Sequence, residues 1–282
     1  MIASEPIFRR MMNQRRIFFR IVFVARSSLA VTFAVWKALF LREAVTRLSS
    51  GRAAWLWLLF EPIFHVSYLM FIFTVVRVKT IGGIATAVWI MVGMLAFFMF
   101  RRTATQASKG ISSNQALFSY RQIKPVDCVL VRAGLELFVM TLVAAILFAG
   151  AGFLGLSIAP DDPLMVLVAF FGMWLTGLGF GLISSVATEM VPEFGKFIGF
   201  ALTPLYLLSG VIFPISAVPQ PYQDWLVYNP LVHGLEAARL GVAPYYHAIP
   251  GLSITYLYAC ALVMILFGLA LHQRFQTSLV TK

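Results

Sequence analysis

The chain has 282 residues, 60% of them hydrophobic and only 12% charged, with a formal net charge of +11. Soluble domains use about 45–50% apolar and about 25% charged residues, so a soluble globular domain is excluded and lipid is the solvent for most of this chain. The basic excess, which in a soluble protein would suggest nucleic acid, is expected to collect in cytoplasmic loops, and no nucleic-acid role is expected.

Taken in chain order, residues 17–36 are apolar but interrupted by Arg20 and Arg26. Each would cost about 2.5–3.5 kcal/mol at a bilayer centre, and no small-residue cleavage site follows, so neither a span nor a signal peptide is expected there. Residues 38–48 predict an amphipathic helix. Phe40, Leu41, Ala44, Val45 and Leu48 share one face, and Arg42, Glu43, Thr46 and Arg47 take the other. Such a helix lies flat in the headgroup layer, as a simple anchor or as a docking surface for a cytoplasmic partner.

Six segments are apolar enough to cross: 55–76, 84–100, 128–150, 164–187, 197–213 and 252–271. Ten Lys or Arg precede the first of them, and Arg101, Arg102, Lys109, Arg121 and Lys124 follow the second. The loop after the third has only Asp161 and Asp162, which suit a turn that blunts a helix end. This asymmetry places both termini in the cytoplasm, with Arg77 and Lys79 as mild exceptions. Residues 214–241 are apolar yet contain four prolines with Asp224, Glu236 and Arg239, so no span runs through them. Asn229 and Pro230 suit a helix start and Gly241 a stop, which predicts a short helix over 231–240 after a broken one. Broken backbone at membrane depth survives only inside protein or beside a cavity, so a re-entrant pair on the outer side is expected.

Several chemistries are missing. No G-x-x-x-x-G-K-[ST] occurs, since Gly195-Lys196 is followed by Phe197, so ATP cannot be held by a phosphate-binding loop. No nucleophile–base pair stands out, and His65, His233, His247 and His272 are too scattered for a metal site. Cys128 and Cys260 fall in apolar segments as small hydrophobes. No catalytic residue, metal or cofactor is expected in this chain.

On the first span, Trp57, Phe60, Phe64, Tyr68 and Phe71 fall within an arc of roughly 80° at helical spacing, with Glu61 and His65 at its edge. Aromatic faces bind the C–H faces of sugars and tolerate sliding, so the stripe could line a polysaccharide path; ordinary packing against lipid or helix is the alternative. Arg132 and Glu136, four apart, suggest a local ion pair. Gly177 with Gly181, and Gly195 with Gly199, have the spacing of close helix approach.

Four stretches resemble the KpsM-type permeases of capsular polysaccharide exporters, in the type-two ABC permease superfamily: ALFLRE at 38–43, NQALFSYR at 114–121 running into KPVD at 124–127, PEFGK at 192–196, and NPLVHGLE at 229–236. The resemblance covers nearly the whole chain from Ala38 on. It implies an all-α membrane protein of the inner membrane, with residues 1–54 as a cytoplasmic segment carrying an interface helix and 55–282 as a six-span domain. It implies a homodimer working with two ABC ATPase subunits, which hold the ATP and Mg, and a lipid-linked, acidic polysaccharide as cargo. It further implies a periplasmic co-polymerase and an outer-membrane export protein as partners.

The segment 114–127 resembles the first coupling element of the family and 189–196 the second, so Arg42, Glu43, Asn114, Phe118, Tyr120, Arg121, Glu193 and Lys196 would couple to the ATPase, with Phe118 and Tyr120 as apolar anchors. Read from the residues themselves, 214–241 is expected to form a periplasmic gate of Asn229, Pro230, Leu231, Val232, Leu235, Glu236 and Arg239, in which Glu236 and Arg239, three apart, can pair and Leu231, Val232 and Leu235 close against the other subunit; a passive outer-leaflet plug is the alternative. Permeases for O-antigen or teichoic-acid-like polymers share the superfamily. A membrane-embedded enzyme acting on lipid-linked sugars would need more acidic residues at one membrane face than this chain has, and a channel without energy coupling would not need the loop over 101–127.

Overall fold

The computed structural model describes residues 28–280 except 50, 52, 77–79, 121, 157 and 158. Readings that fall on the arginines before residue 28, or on Arg52, Arg77, Lys79 and Arg121, lie outside the described residues. The chain divides into two units, Met1–Ala38 and Leu39–Lys282. Helix α1 (Ser28–Ser49) begins in the first, where Leu29 and Phe33 are exposed, and its residues from Leu39 on belong to the second. It starts ten residues before the expected amphipathic stretch, because no Gly or Pro interrupts 28–49.

In the second unit the helices are α2 (Ala54–Val76), α3 (Thr86–Ser108), α4 (Pro125–Phe153), α5 (Pro163–Met190), α6 (Phe194–Leu208), α7 (Tyr222–Val227), α8 (Pro230–Val242), α9 (Ile254–Arg274) and α10 (Gln276–Val280), with a 3-10 helix at Ser112–Ser119. Five of these are long and apolar enough to cross a membrane; α6, expected as a span over 197–213, has only 15 residues. Local chemistry sets the starts. Pro125, Pro163 and Pro230 open their helices, and the Asp162, Asn229 and Ser253 side chains accept from the first turns of α5, α8 and α9. Asp162 therefore caps the start of a helix, a role more specific than the turn expected of the Asp161-Asp162 pair.

Two readings of the sequence change. The second expected span, 84–100, continues as helix to Ser108, so Arg101 and Arg102 sit on α3 and not in a loop. Residues 84 and 85, expected to open the second span, instead pair with 80 and 81 as a two-residue hairpin, β1 (Thr80–Ile81) with β2 (Ile84–Ala85), turned by Gly82 and Gly83 at positive φ. Gly-Gly is the turn such a hairpin needs, and the signal was legible.

Helix α3 is the centre of the bundle: 89% of its apolar window is buried, against 11% for α2. α5 packs closely on α3 and α9. A Cβ on Gly177 would stand 2.7 Å from the Phe100 carbonyl, and one on Gly181 2.4 Å from the Ala107 Cβ, so the first glycine pair is a helix seam. The second pair is not: Gly199 has nothing within 4 Å of such a Cβ.

Candidate functional site

Three groups of residues stand out, one along α2, one at the basic end of the bundle and one at the opposite end.

On α2 the aromatic stripe is a ladder. Trp57 meets Phe60 edge-on at 5.5 Å between ring centroids, Phe60 stacks on Phe64 at 5.5 Å, and Phe64 on Tyr68 at 6.0 Å. All four rings and Phe71 are exposed, with Phe71 at 69%. His65 packs edge-on against Phe98 at 5.4 Å, and the Glu61 side chain, 75% exposed, reaches Arg102 at 3.5 Å. The inward face of α2 is carried by Pro62 and Val66. The ladder thus stands apart from the subunit's own core.

At the basic end, both faces of α1 are divided: Phe40 and Ala44 of the apolar face pack half-buried against the core, and Arg42 and Thr46 of the polar face are exposed. Leu39 is buried, Glu43 and Arg47 are largely covered, and Leu41, Val45 and Leu48 are exposed. Arg42 donates to the Asn114 Oδ1 at 3.0 Å, and the buried Asn114 donates to the Gly110 carbonyl at 2.9 Å, which holds the 3-10 helix. Arg132 and Glu136 do not pair with each other. Arg132 bonds Glu43 at 2.9 Å, while Glu136 accepts from Arg47 and, at 3.2 Å, from Arg102. Each charge is better served from a neighbouring helix than from one turn along its own.

The expected docking residues separate in this geometry. Tyr120 is 63% exposed, and Glu193 and Lys196 are exposed, whereas Phe118 is buried in its own chain and offers no anchor. Gln115 donates to Glu189 at 3.3 Å and so ties the 3-10 helix to the end of α5, beside Glu193 and Lys196. Nothing in spacing could have announced that tie across 74 positions.

At the opposite end, α6 stops at Leu208, and Gly210 has φ +71°. Fifteen residues give about 22 Å of helix, short of the roughly 30 Å hydrocarbon core, so the next carbonyls need partners inside protein. Arg239 of α8 supplies them: its guanidinium donates to the Gly210 and Val211 carbonyls at 3.0 and 3.3 Å, and to Glu236 at 2.9 Å. It lies over the Trp89 ring, 3.5 Å from the centroid. Gly93 makes the room, since a Cβ there would stand 2.3 Å from Arg239 Nη2. Tyr246 donates to Glu236 at 3.2 Å and accepts from the Trp89 indole at 3.3 Å. Burial pushes the Tyr246 phenol up to about 12, so it keeps that proton at neutral pH.

Asn229 behaves as its sequence position predicted. Its Oδ1 accepts from the Leu231 N–H at 3.1 Å, and its Nδ2 reaches Ser209 at 3.0 Å. Glu236 and Arg239 pair as expected, but two expectations are corrected. Gly241 lies inside α8, which ends at Val242; it is a close-approach glycine whose Cβ would stand 2.8 Å from Val166 Cγ2. Leu231, Val232 and Leu235, at 2, 0 and 0% exposure, are consumed by this chain's own core and not left for another subunit. Asn229→Ala is expected to lower stability by about 1 kcal/mol, read as a lower midpoint of thermal unfolding in detergent. Asn229→Asp, which keeps the acceptor, should recover most of it.

The ABC-2 type transporter family model matches residues 34–243. The chain is 33% identical over 258 residues to the polysialic acid transport protein KpsM of Escherichia coli, covering 92% of this chain and 100% of the relative. It is 30% identical to the capsule polysaccharide export inner-membrane protein CtrC of Neisseria meningitidis serogroup B, covering 88% and 93%. It is 27% identical to the capsule polysaccharide export inner-membrane protein BexB of Haemophilus influenzae, covering 89% and 94%. The chain belongs to the ABC-2 type transporter family. It is therefore a multi-pass transport subunit and not an enzyme, and a transporter of this class implies an ATPase partner.

Proposed function

We propose that this chain is the membrane-spanning subunit of an ATP-driven exporter that moves a lipid-linked, acidic capsular polysaccharide across the inner membrane. The ladder of exposed aromatic rings on α2 carries the reading. A span that leaves a column of stacked rings outside its own core offers a sliding surface for sugar rings, and the relatives named above bear capsule-export names. Two copies of the chain enclose the conduit, with α2 of each facing it. Two ABC ATPases supply ATP and Mg, and dock where Arg42, Asn114, Tyr120, Glu193 and Lys196 gather. The basic end is the cytoplasmic one, with both termini on that side, in keeping with the positive-inside rule. A periplasmic co-polymerase and an outer-membrane export protein receive the polymer. The outer segment 214–241 serves as gate. With α8 anchored through Arg239, movement falls on α7, none of whose residues is buried.

Cysteine accessibility tests the conduit. In a chain with Cys128 and Cys260 replaced by alanine, Phe64→Cys and Tyr68→Cys are expected to react with a water-soluble, membrane-impermeant thiol reagent during export. Val66→Cys, at a wholly buried position, should be protected. Equal protection at all three would return the ladder to packing against lipid.

A further inference from the structure

Glu136 is a carboxylate with no exposure at all, and it lies on none of the surfaces assigned so far. It sits on α4 where three elements cross. One oxygen accepts from Arg47 of α1, and the other from Arg102 of α3 at 3.2 Å. Arg47 is held on its second side by Glu43 at 3.1 Å, and Glu43 by Arg132 of α4 at 2.9 Å. A lone buried carboxylate would be costly, but two guanidiniums from two different helices fix its place and theirs.

The cluster does not end there. Five residues before Arg47 on the same helix, Arg42 holds Asn114 and with it the 3-10 helix, while Arg102 reaches Glu61 at the edge of the aromatic ladder. Two sets of contacts thus meet on α1: Arg42 ties it to Asn114 at the candidate docking face, and Arg47, through Glu136 and Arg102, ties it to Glu61 on α2, with the backbone of α1 joining the two. Each oxygen of this buried carboxylate is held by a different helix, so α1 and α3 either keep their register on α4 or lose it together.

We propose that Glu136 is a positioning residue of the transport cycle: it locks residues 39–49 of α1 onto α3 and α4, so that displacement of the docking face is passed to the ladder helix α2. This rests on the reading that the ATPase docks at the basic end.

The full chain, co-expressed with its ATPase and reconstituted in lipid vesicles with polymer, provides the test. Glu136→Gln keeps the shape and removes the charge. ATP turnover by the complex is expected to stay within about twofold of the unmodified complex, while polymer delivered per ATP falls about tenfold, inside the usual range of coupling between distant sites. Arg42→Ala, at an exposed position that does not threaten folding, should lower the same ratio. The double variant should fall no further than the worse single one, since both cut one route through α1. If Glu136→Gln loses turnover and export in equal proportion, or if the two changes add, Glu136 merely holds the fold and the proposal fails. If Arg42→Ala lowers the ratio while Glu136→Gln leaves it intact, docking at the basic end survives and the role of Glu136 does not. If Arg42→Ala and Tyr120→Ala both leave ATPase co-purification and the ratio unchanged, the docking reading itself falls.

Discussion

Arg239→Ala is expected to be the most destabilising single change in the molecule. The side chain has no exposure, and its removal strands several groups at once: the Glu236 carboxylate, the Gly210 and Val211 carbonyls, and the face of Trp89. Breaking a buried pair by deleting one partner costs about 3–5 kcal/mol, because the surviving charge stays buried without compensation. The two carbonyls add to this, since they belong to backbone broken inside an apolar surrounding with no water to replace the guanidinium. The check is thermal unfolding of the purified chain in detergent, beside Arg239→Met combined with Glu236→Leu. Removing both charges leaves no buried ion, so the double variant should unfold at a higher temperature than Arg239→Ala alone. If the double variant is the less stable of the two, the ion pair is not what the site depends on. Arg239→Lys should recover little, because a single ammonium cannot serve a carboxylate and two carbonyls in one plane while lying flat on the indole.

Gly181→Leu is the second large effect. Its Cβ would overlap the Ala107 Cβ at 2.4 Å, and both belong to helix backbones that cannot swing aside as a flexible side chain would. One seam contact cannot be relieved without opening the next, where Gly177 lies against the Phe100 carbonyl. Overpacking of this kind costs about 1–3 kcal/mol and forces the backbones to shift. Since α3 and α5 form the heart of the bundle, less monodisperse protein and a lower unfolding midpoint are expected. Gly199→Leu is the matched comparison, with open space at its Cβ; it should be tolerated, and a gain of up to about 1 kcal/mol in helix propensity is available. Similar losses from both changes would mean that the two GxxxG spacings cannot be told apart by packing.

Elements whose causes lie within a few residues or in bulk composition are legible in the residues alone. The apolar runs require lipid-crossing helices. Asn229 with Pro230 marks the start of α8, because a cap acts on a backbone N–H two or three positions away. The aromatic column on α2 was visible because helical period alone puts 57, 60, 64, 68 and 71 on one side. The pairing of Glu236 with Arg239 was visible for the same reason.

Which partner each long-range group takes depends on packing that no local pattern encodes. Arg132 and Glu136 sit one turn apart, yet each finds its opposite charge on another helix, because a buried guanidinium goes where several acceptors converge. Phe118 looked like an anchor and is buried, and Leu231, Val232 and Leu235 looked free and belong to the core, since apolar character does not say which apolar surface is near. Gly177 with Gly181 seals a seam and Gly195 with Gly199 does not, although the spacing is the same. Trp89, Gly93 and Tyr246 gained their roles only from Arg239 and Glu236. That site is built from residues more than a hundred positions apart, brought together because α6 ends inside the bundle and the carbonyls of Gly210 and Val211 that follow it had to be met.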